Sequence, residues 1–314
     1  MIISMVVLDR KKVISQFPWL MERDQHFIIS ADYDGLICAI FLNQTLGWKL
    51  DGFYDLSSIW ISRDGMNNRE NLVWVDMNIL PKQGRAIGGH IISLDESLPA
   101  GFETSCNPNI LTGLTAKYFN KKYPFSTILF LFWIHNIDSK LSEISRMLLL
   151  HADASWLKYQ NYSENANHWQ TVLSDFPWKK IFRDVNTERF EDKIDQVLYL
   201  KLREISALKK RSKLSGIHKK FTSYQYQFNP DWDMDVVMKI FQLIGNSFTW
   251  TPPECPDIEK VIDGTRHRIP LSKVKKTGLN SFLSKSKVFS YAITSPGIFN
   301  YTTFGYSRKS PIEK

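Results

Sequence analysis

The stretch from Phe27 to Gly47 constrains the fold more than any other part of this chain. Phe27-Ile28-Ile29-Ser30-Ala31 is a short apolar run that ends in Asp32-Tyr33-Asp34-Gly35. Leu36 to Leu46 follows, apolar almost all round, and Gly47 closes it. A helix that is apolar on every side must itself be buried, and a glycine just after it suits a left-handed C-terminal cap. The order is therefore buried strand, acidic loop, central helix. Leu72-Val73-Trp74-Val75 repeats the strand signal and also ends in an aspartate, Asp76. Ala86 to Leu94 carries Gly88-Gly89-His90 and then Ile91-Ile92. Leu111 to Tyr123 predicts a helix stopped by Pro124. Ile128 to Ile134 fits a strand or a buried helix, because periodicity does not separate the two. Ser139 to about Tyr159 predicts a helix carrying His151 and Asp153. Strands alternating with helices predict an α/β fold with a mostly parallel sheet flanked by helices.

The second half predicts a smaller mixed α+β region. Thr187 to Leu214 has apolar residues at three- and four-residue steps, with Glu188 and Glu191 at its start and lysines at its end, the order a helix dipole favours. Tyr224, Tyr226 and Phe228 alternate as on a half-buried strand. Trp232 to Ile244 predicts a second amphipathic helix ended by Gly245. Val288–Thr294 and Ile298–Tyr306 predict two strands around Ser295-Pro296-Gly297. The polar region between Asn161 and Asn186 suggests a division into residues 1–175 and residues 176–314, and a single interlocked domain also fits.

With 43% hydrophobic and 23% charged residues, the 314-residue chain has the composition of a globular protein, which excludes long disorder and a coiled-coil rod. The first apolar run is too short for a signal peptide, and the run Ile128–Ile134 is far below the roughly 20 residues that span a bilayer. Cys38, Cys106 and Cys255 are scattered and odd in number, so neither a disulfide scaffold nor a cysteine zinc site is expected, and a cytoplasmic setting is. The net charge of +8 favours a polyanionic partner such as nucleic acid or a nucleotide, with no membrane partner.

Asp32 and Asp34 at one strand end and Asp76 at another would repel each other unless a cation lay between them. Carboxylates with an imidazole suit Mn²⁺ or Mg²⁺, and such ions can clamp a phosphoryl group. His90, His151 and Asp153 are the later candidates to complete the set. Asp-x-Asp-Gly is also a common turn, with the aspartates capping a helix.

These residues resemble the DHH phosphoesterase superfamily, which includes RecJ-like exonucleases, oligoribonucleases and cyclic-dinucleotide phosphodiesterases. Ser30-Ala31-Asp32-Tyr33-Asp34-Gly35 is similar to the family's first motif, and Leu72-Val73-Trp74-Val75-Asp76 to its second. Ile87-Gly88-Gly89-His90-Ile91 stands where the family has its Asp-His-His, and Asp153 matches the aspartate of the fourth motif. The likeness covers roughly residues 25–160. It implies a metal-dependent phosphodiesterase, a hydrolase with Mn²⁺ or Mg²⁺ on Asp32, Asp34, Asp76 and Asp153, and with His90 on a metal or on the phosphate. The departures are specific. Ile28 and Ser30 stand near the family's first ligand, and Gly89 replaces its middle histidine. His26 and His151 are the residues available to substitute. A catalytically degenerate binding or assembly subunit is the alternative the departures imply, and a homo-oligomer or a protein complex is compatible with either.

Cations beside aromatics in the second half suggest a groove for single-stranded nucleic acid. Lys209, Lys210, Arg211, Lys219 and Lys220 lie near Phe221, Tyr224 and Tyr226, and Lys273, Lys275, Lys276, Lys285 and Lys287 form a looser cluster.

Overall fold

The computed structural model describes residues 6–77, 85–138, 140–207, 227–231 and 233–305. Among them, the main sheet has seven strands: β1 (His26–Ser30), β2 (Lys49–Tyr54), β3 (Ser58–Ser62), β4 (Val73–Val75), β5 (Arg85–Ile87), β6 (Ser105–Cys106) and β7 (Ile258–Asp263). Their spatial order is β6-β5-β4-β1-β2-β3-β7. Strands β6, β5, β4, β1 and β2 run parallel, while β3 and β7 add antiparallel at one side. The α/β fold with a mostly parallel sheet is therefore as the sequence predicts. No helix among the described residues is long and apolar enough to cross a membrane.

The first apolar run becomes β1, and the chain crosses through the central helix (Tyr33–Leu46) to β2 on one side of it. The strand β4 then lies on the other side of β1. The direction of winding thus reverses at β1, and the carboxyl end of β1 borders a crevice of the kind where α/β sheets bind ligands. Asp32 caps the central helix by accepting from the Gly35 N–H at 3.0 Å, and Gly47, at φ +69°, closes it.

Alternation along β1 divides the core. Phe27 and Ile29 face the large helical layer. Ile28 faces a smaller cluster with Tyr54, Trp74 and Met77, which Phe289 and Phe304 from the C-terminal region cover. That region holds a three-stranded antiparallel sheet, β8 (Thr265–Pro270), β10 (Ile298–Thr303) and β9 (Val288–Ser295) in spatial order, with the helices Leu271–Thr277 and Leu279–Lys285 packed on it. The smaller mixed region is thus present, and its neighbour β7 belongs to the main sheet, paired with β3.

Several segments differ from the sequence expectation. The run Ile128–Ile134 is helical: Thr127–Ile134 is buried at every position. The predicted helix Leu111–Tyr123 is a short helix, Pro108–Leu111, and a 3₁₀ turn, Ala116–Lys121, separated by Gly113 at φ +67°. The predicted helix from Ser139 breaks into Glu143–His151 and Ser155–Asn161, because Asp153 and Ala154 both adopt left-handed backbone, at φ +53° and +52°. The helix from Glu188 stops at Glu204, where Ser206 turns to φ +61° and the Ala207 N–H closes back on the Leu202 carbonyl. Gly245 does not end its helix, which runs Met234–Phe248. A side chain at Gly245 would instead meet the Trp250 carbonyl at 2.8 Å.

Candidate functional site

A cavity of about 660 Å³ opens at the carboxyl ends of β1, β4 and β5, within the size range of roughly 300–1,000 Å³ typical of small-molecule sites. Asp32, Asp76, His90 and Asp153 line it, together with Lys122 and Arg266. Residues far apart in sequence meet because each follows a strand of one sheet or a turn aimed at it.

Asp32 follows β1, where Gly35 is required by space: a Cβ there would lie 2.2 Å from the Ser30 carbonyl oxygen. Asp76 follows β4 in left-handed backbone, at φ +61°. It is buried, and three donors from three segments reach it: Ser30 Oγ at 2.5 Å, Thr127 Oγ1 at 2.7 Å and His90 Nε2 at 3.2 Å. Burial works against its charge, but the His90, Ser30 and Thr127 hydrogen bonds outweigh that and hold its pKa below the usual carboxylate value.

Asp32 behaves in the opposite way. Burial first, then repulsion from Asp76 and Asp153, pushes its carboxyl well above the usual range. Ser30 Oγ lies 2.8 Å from Asp32 Oδ1 as well as 2.5 Å from Asp76 Oδ2. A hydroxyl has one proton to donate, so it cannot satisfy two charged carboxylates at once.

Asp34 is not among the residues lining the cavity. Its oxygens accept from the Thr127 N–H at 2.6 Å and the Ile128 N–H at 3.2 Å, which caps the buried helix Thr127–Ile134. Burial, then Asp76, Asp153 and Asp32, push its carboxyl upward too. Asp153 is only 6% exposed, so it is not the helix-surface charge its sequence context allows. The kink at Asp153 and Ala154 brings its Oδ2 to 3.7 Å from His90 Nε2 and 3.5 Å from Lys158 Nζ. Burial lowers the His90 pKa, and Asp153 and Asp76 more than reverse this, leaving it raised.

The two substitute histidines are elsewhere. His26 sits at the amino end of β1, paired with Asp51 at 2.6 Å. His151 is buried edge-on against Tyr33 and Tyr199, and burial lowers its pKa to about 3. Beside Gly89, a Cβ would meet Tyr123 Cδ1 at 2.6 Å, so the tyrosine ring fills the space a histidine would need.

Lys209, Lys210, Arg211, Lys219 and Lys220 lie outside the described residues. Lys273, Lys275, Lys276 and Lys285 are exposed on the helices that pack against Phe299 and Tyr301 of β10. Asn300, Thr302 and Arg266 of that sheet line the cavity, as do Tyr291 and Tyr301. Register places Arg266 and Arg268 across from Thr302 and Asn300. None of Lys273, Lys275, Lys276, Lys285 and Lys287 is among the residues that line the cavity, whereas Arg266 is, and it supplies cationic charge to the wall. Sequence reasoning missed Lys122, Thr127, Lys158 and Arg266. None stands in a motif, and Lys122 looks no different in sequence from its neighbour Lys121, which pairs with Glu164.

Carboxylates with one imidazole are the donor types a hard divalent cation takes. The side-chain positions are closed around Ser30, Thr127 and His90, and no group of three or more His, Cys, Asp or Glu residues among those described is set to hold a metal ion. Loading an ion on Asp32, Asp76 and Asp153 would require these hydrogen bonds to rearrange. No protein-family model, curated protein or solved structure matches this chain.

Proposed function

We propose that this chain is a divalent-metal-dependent phosphodiesterase acting on nucleotides or nucleic acid, with Asp32, Asp76 and Asp153 holding Mn²⁺ or Mg²⁺. One observation carries the reading. Three aspartates and His90, from four separate segments, meet at the carboxyl ends of parallel strands in a cavity that also presents Lys122 and Arg266. A cation bound there would neutralise phosphoryl charge and lower the pKa of a bound water. Asp76 supplies the permanent negative charge, fixed by Ser30 and Thr127. His90, whose Nε2 faces Asp76 and Asp153, would turn to a metal or to the phosphate when substrate is bound. Arg266 on the wall orients the rest of the anion. Three free cysteines suit a reducing, cytoplasmic setting.

The catalytically degenerate binding subunit is the second reading, favoured by the Tyr123 ring beside Gly89. One experiment separates the two. Purified protein with MnCl₂ is expected to cleave a dinucleotide or a short single-stranded oligonucleotide, and Asp76→Asn to abolish cleavage while the chain stays folded by circular dichroism. Absence of turnover with Mn²⁺ and Mg²⁺, with Asp76→Asn neutral or stabilising, selects the binding subunit.

A further inference from the structure

The chain's positive charge is concentrated in one place. Residues 264–305, the small sheet and its two helices, hold two arginines and five lysines with no Asp or Glu, which accounts for seven of the net +8. Among the described residues of that stretch no large apolar side chain is exposed, so its surface suits a polyanion rather than an apolar partner. Register says where the two arginines stand. The strand β8 is an end strand of its sheet. Arg266, Thr302 and Ser290 form one row across β8, β10 and β9, and Arg268, Asn300 and Ala292 form the next. Residues two apart on a strand share a side of the sheet, as do residues directly opposite, so both rows lie on one side. Thr302, Ser290, Asn300 and Ala292 all line the cavity, and so does Arg266. Each row therefore ends, at the free edge, in an exposed arginine. Neither guanidinium makes a hydrogen bond or an ion pair among the described residues. The edge itself is pinned: His267, between the two, stacks on Tyr301 with centroids 4.5 Å apart, and its Nε2 lies 3.0 Å from Thr303 Oγ1.

We infer that Arg266 and Arg268 form the rim over which a single-stranded nucleic acid enters the cavity, each taking one of two successive phosphates, so that the substrate is a strand longer than the cavity and not a free nucleotide. As a statement about the substrate this rests on the phosphodiesterase reading; strand binding at the rim requires no metal. Positions two apart on a strand are separated by about 6.8 Å, close to the step between phosphates of an extended single strand. A guanidinium grips a phosphate with two parallel N–H donors, and successive cations along a groove hold a strand without reading its bases. The cavity, at about 660 Å³, has room for the terminal nucleotides of one strand and none for a duplex.

The test is fluorescence anisotropy of the full chain with a labelled single strand of about 12 nucleotides, in EDTA, over a series of KCl concentrations. Arg266→Gln combined with Arg268→Gln should weaken binding about 10- to 100-fold and flatten the slope of log K against log salt by about 1.4, the counterions released by two phosphate contacts. Both side chains are exposed, so circular dichroism should show the fold kept. Lys273→Gln combined with Lys276→Gln removes the same charge outside the two rows and should weaken binding less than about 3-fold. A mononucleotide, or a duplex of the same sequence, should compete poorly. Equal losses in the two double variants would make binding a matter of net charge and overturn the rim. So would a mononucleotide or duplex that competes as well as the strand, phosphatidylserine vesicles held as tightly by the same arginines, or a wild type that binds no strand. Adding MnCl₂ then separates the two readings. Rim-dependent binding without cleavage sinks the phosphodiesterase reading and keeps the rim as a docking surface. Dinucleotide cleavage by a protein whose strand binding ignores both arginines keeps the enzyme and sinks the rim.

Discussion

Gly89 offers the sharpest test of how the site is built. An ideal Cβ at this position lies 2.6 Å from Tyr123 Cδ1 and 3.3 Å from Cε1, whereas carbon contacts settle at roughly 3.5–4.0 Å. Neither side can yield easily. The Gly89 carbonyl accepts from Asn109 Nδ2 at 2.8 Å, and the same Asn109 accepts from the Tyr123 N–H at 2.6 Å. The Tyr123 hydroxyl donates to the Ser126 carbonyl at 3.1 Å, and its ring packs edge-on against Phe125 and Trp169. Forcing one carbon into a well-packed core costs about 1–3 kcal/mol, and Gly89→Ala is expected in that range. Tyr123→Ala alone should cost about 3–5 kcal/mol through lost packing. In the double variant the overlap no longer exists, so its destabilisation should match that of Tyr123→Ala, a non-additivity of about 1–3 kcal/mol. Urea unfolding with linear extrapolation measures all three. Gly89→Ala within about 0.5 kcal/mol of wild type, or simple additivity of the pair, would show that Tyr123 does not occupy this space. Gly89→His in the Tyr123→Ala background then places a new imidazole beside His90, and on the metal reading it should bind Mn²⁺ more tightly than Tyr123→Ala alone, as titration calorimetry with MnCl₂ would measure.

Asp34→Ala should destabilise by about 2–3 kcal/mol, because the buried N–H groups of Thr127 and Ile128 lose their acceptor. Asp34→Asn keeps an oxygen there and removes a crowded charge, so urea unfolding should find it within about 1 kcal/mol of wild type. Acid sensitivity should come partly from His151, whose pKa falls from 6.5 to about 3 in the fold because it is buried. The unfolded chain takes up that proton first as pH falls. The His151 contribution is therefore complete above about pH 6.5 and declines toward pH 3, with roughly 2 kcal/mol lost by pH 5. Unfolding curves of His151→Phe between pH 7.5 and 5 should lack this slope; an unchanged slope would assign it to other groups.

How much of the site is legible in sequence depends on how local its causes are. Asp32 and Asp76 are visible because a strand, an acid and an apolar helix follow one another along the chain, and parallel pairing of Ile29 with Val75 then brings the two strand ends together. The strands β2 and β3 are not visible. Lys49–Tyr54 is buried at five of its six positions and contains Asp51 and Gly52, so it shows neither alternation nor a continuous apolar run. The strand β7 is recognised only through its partner β3, about two hundred residues earlier in the chain. The Thr127–Ile134 run is undecided in sequence because its N-terminal acceptor is Asp34, on another helix.

The charge states of Asp32, Asp34 and Asp76 are further still from the sequence, since residue type is identical and environment differs. Asp34 is buried and Asp32 half-buried near other carboxyls, with loss of solvent the main cause of their upward shift. Asp76 is buried like Asp34, yet donors from β1, from the Thr127 helix and from His90 converge on it and keep it ionised. An Asp-x-Asp-Gly motif therefore identifies where acids gather, and His90, with the hydroxyls of Ser30 and Thr127, decides which one carries charge. Ser30 adjoins the acid motif itself, but Thr127 lies 51 residues from Asp76. The anchor of the site is thus the aspartate with the most distant partners. Lys122 and Lys121 are likewise identical in type and adjacent, yet one lines the cavity and the other pairs with Glu164.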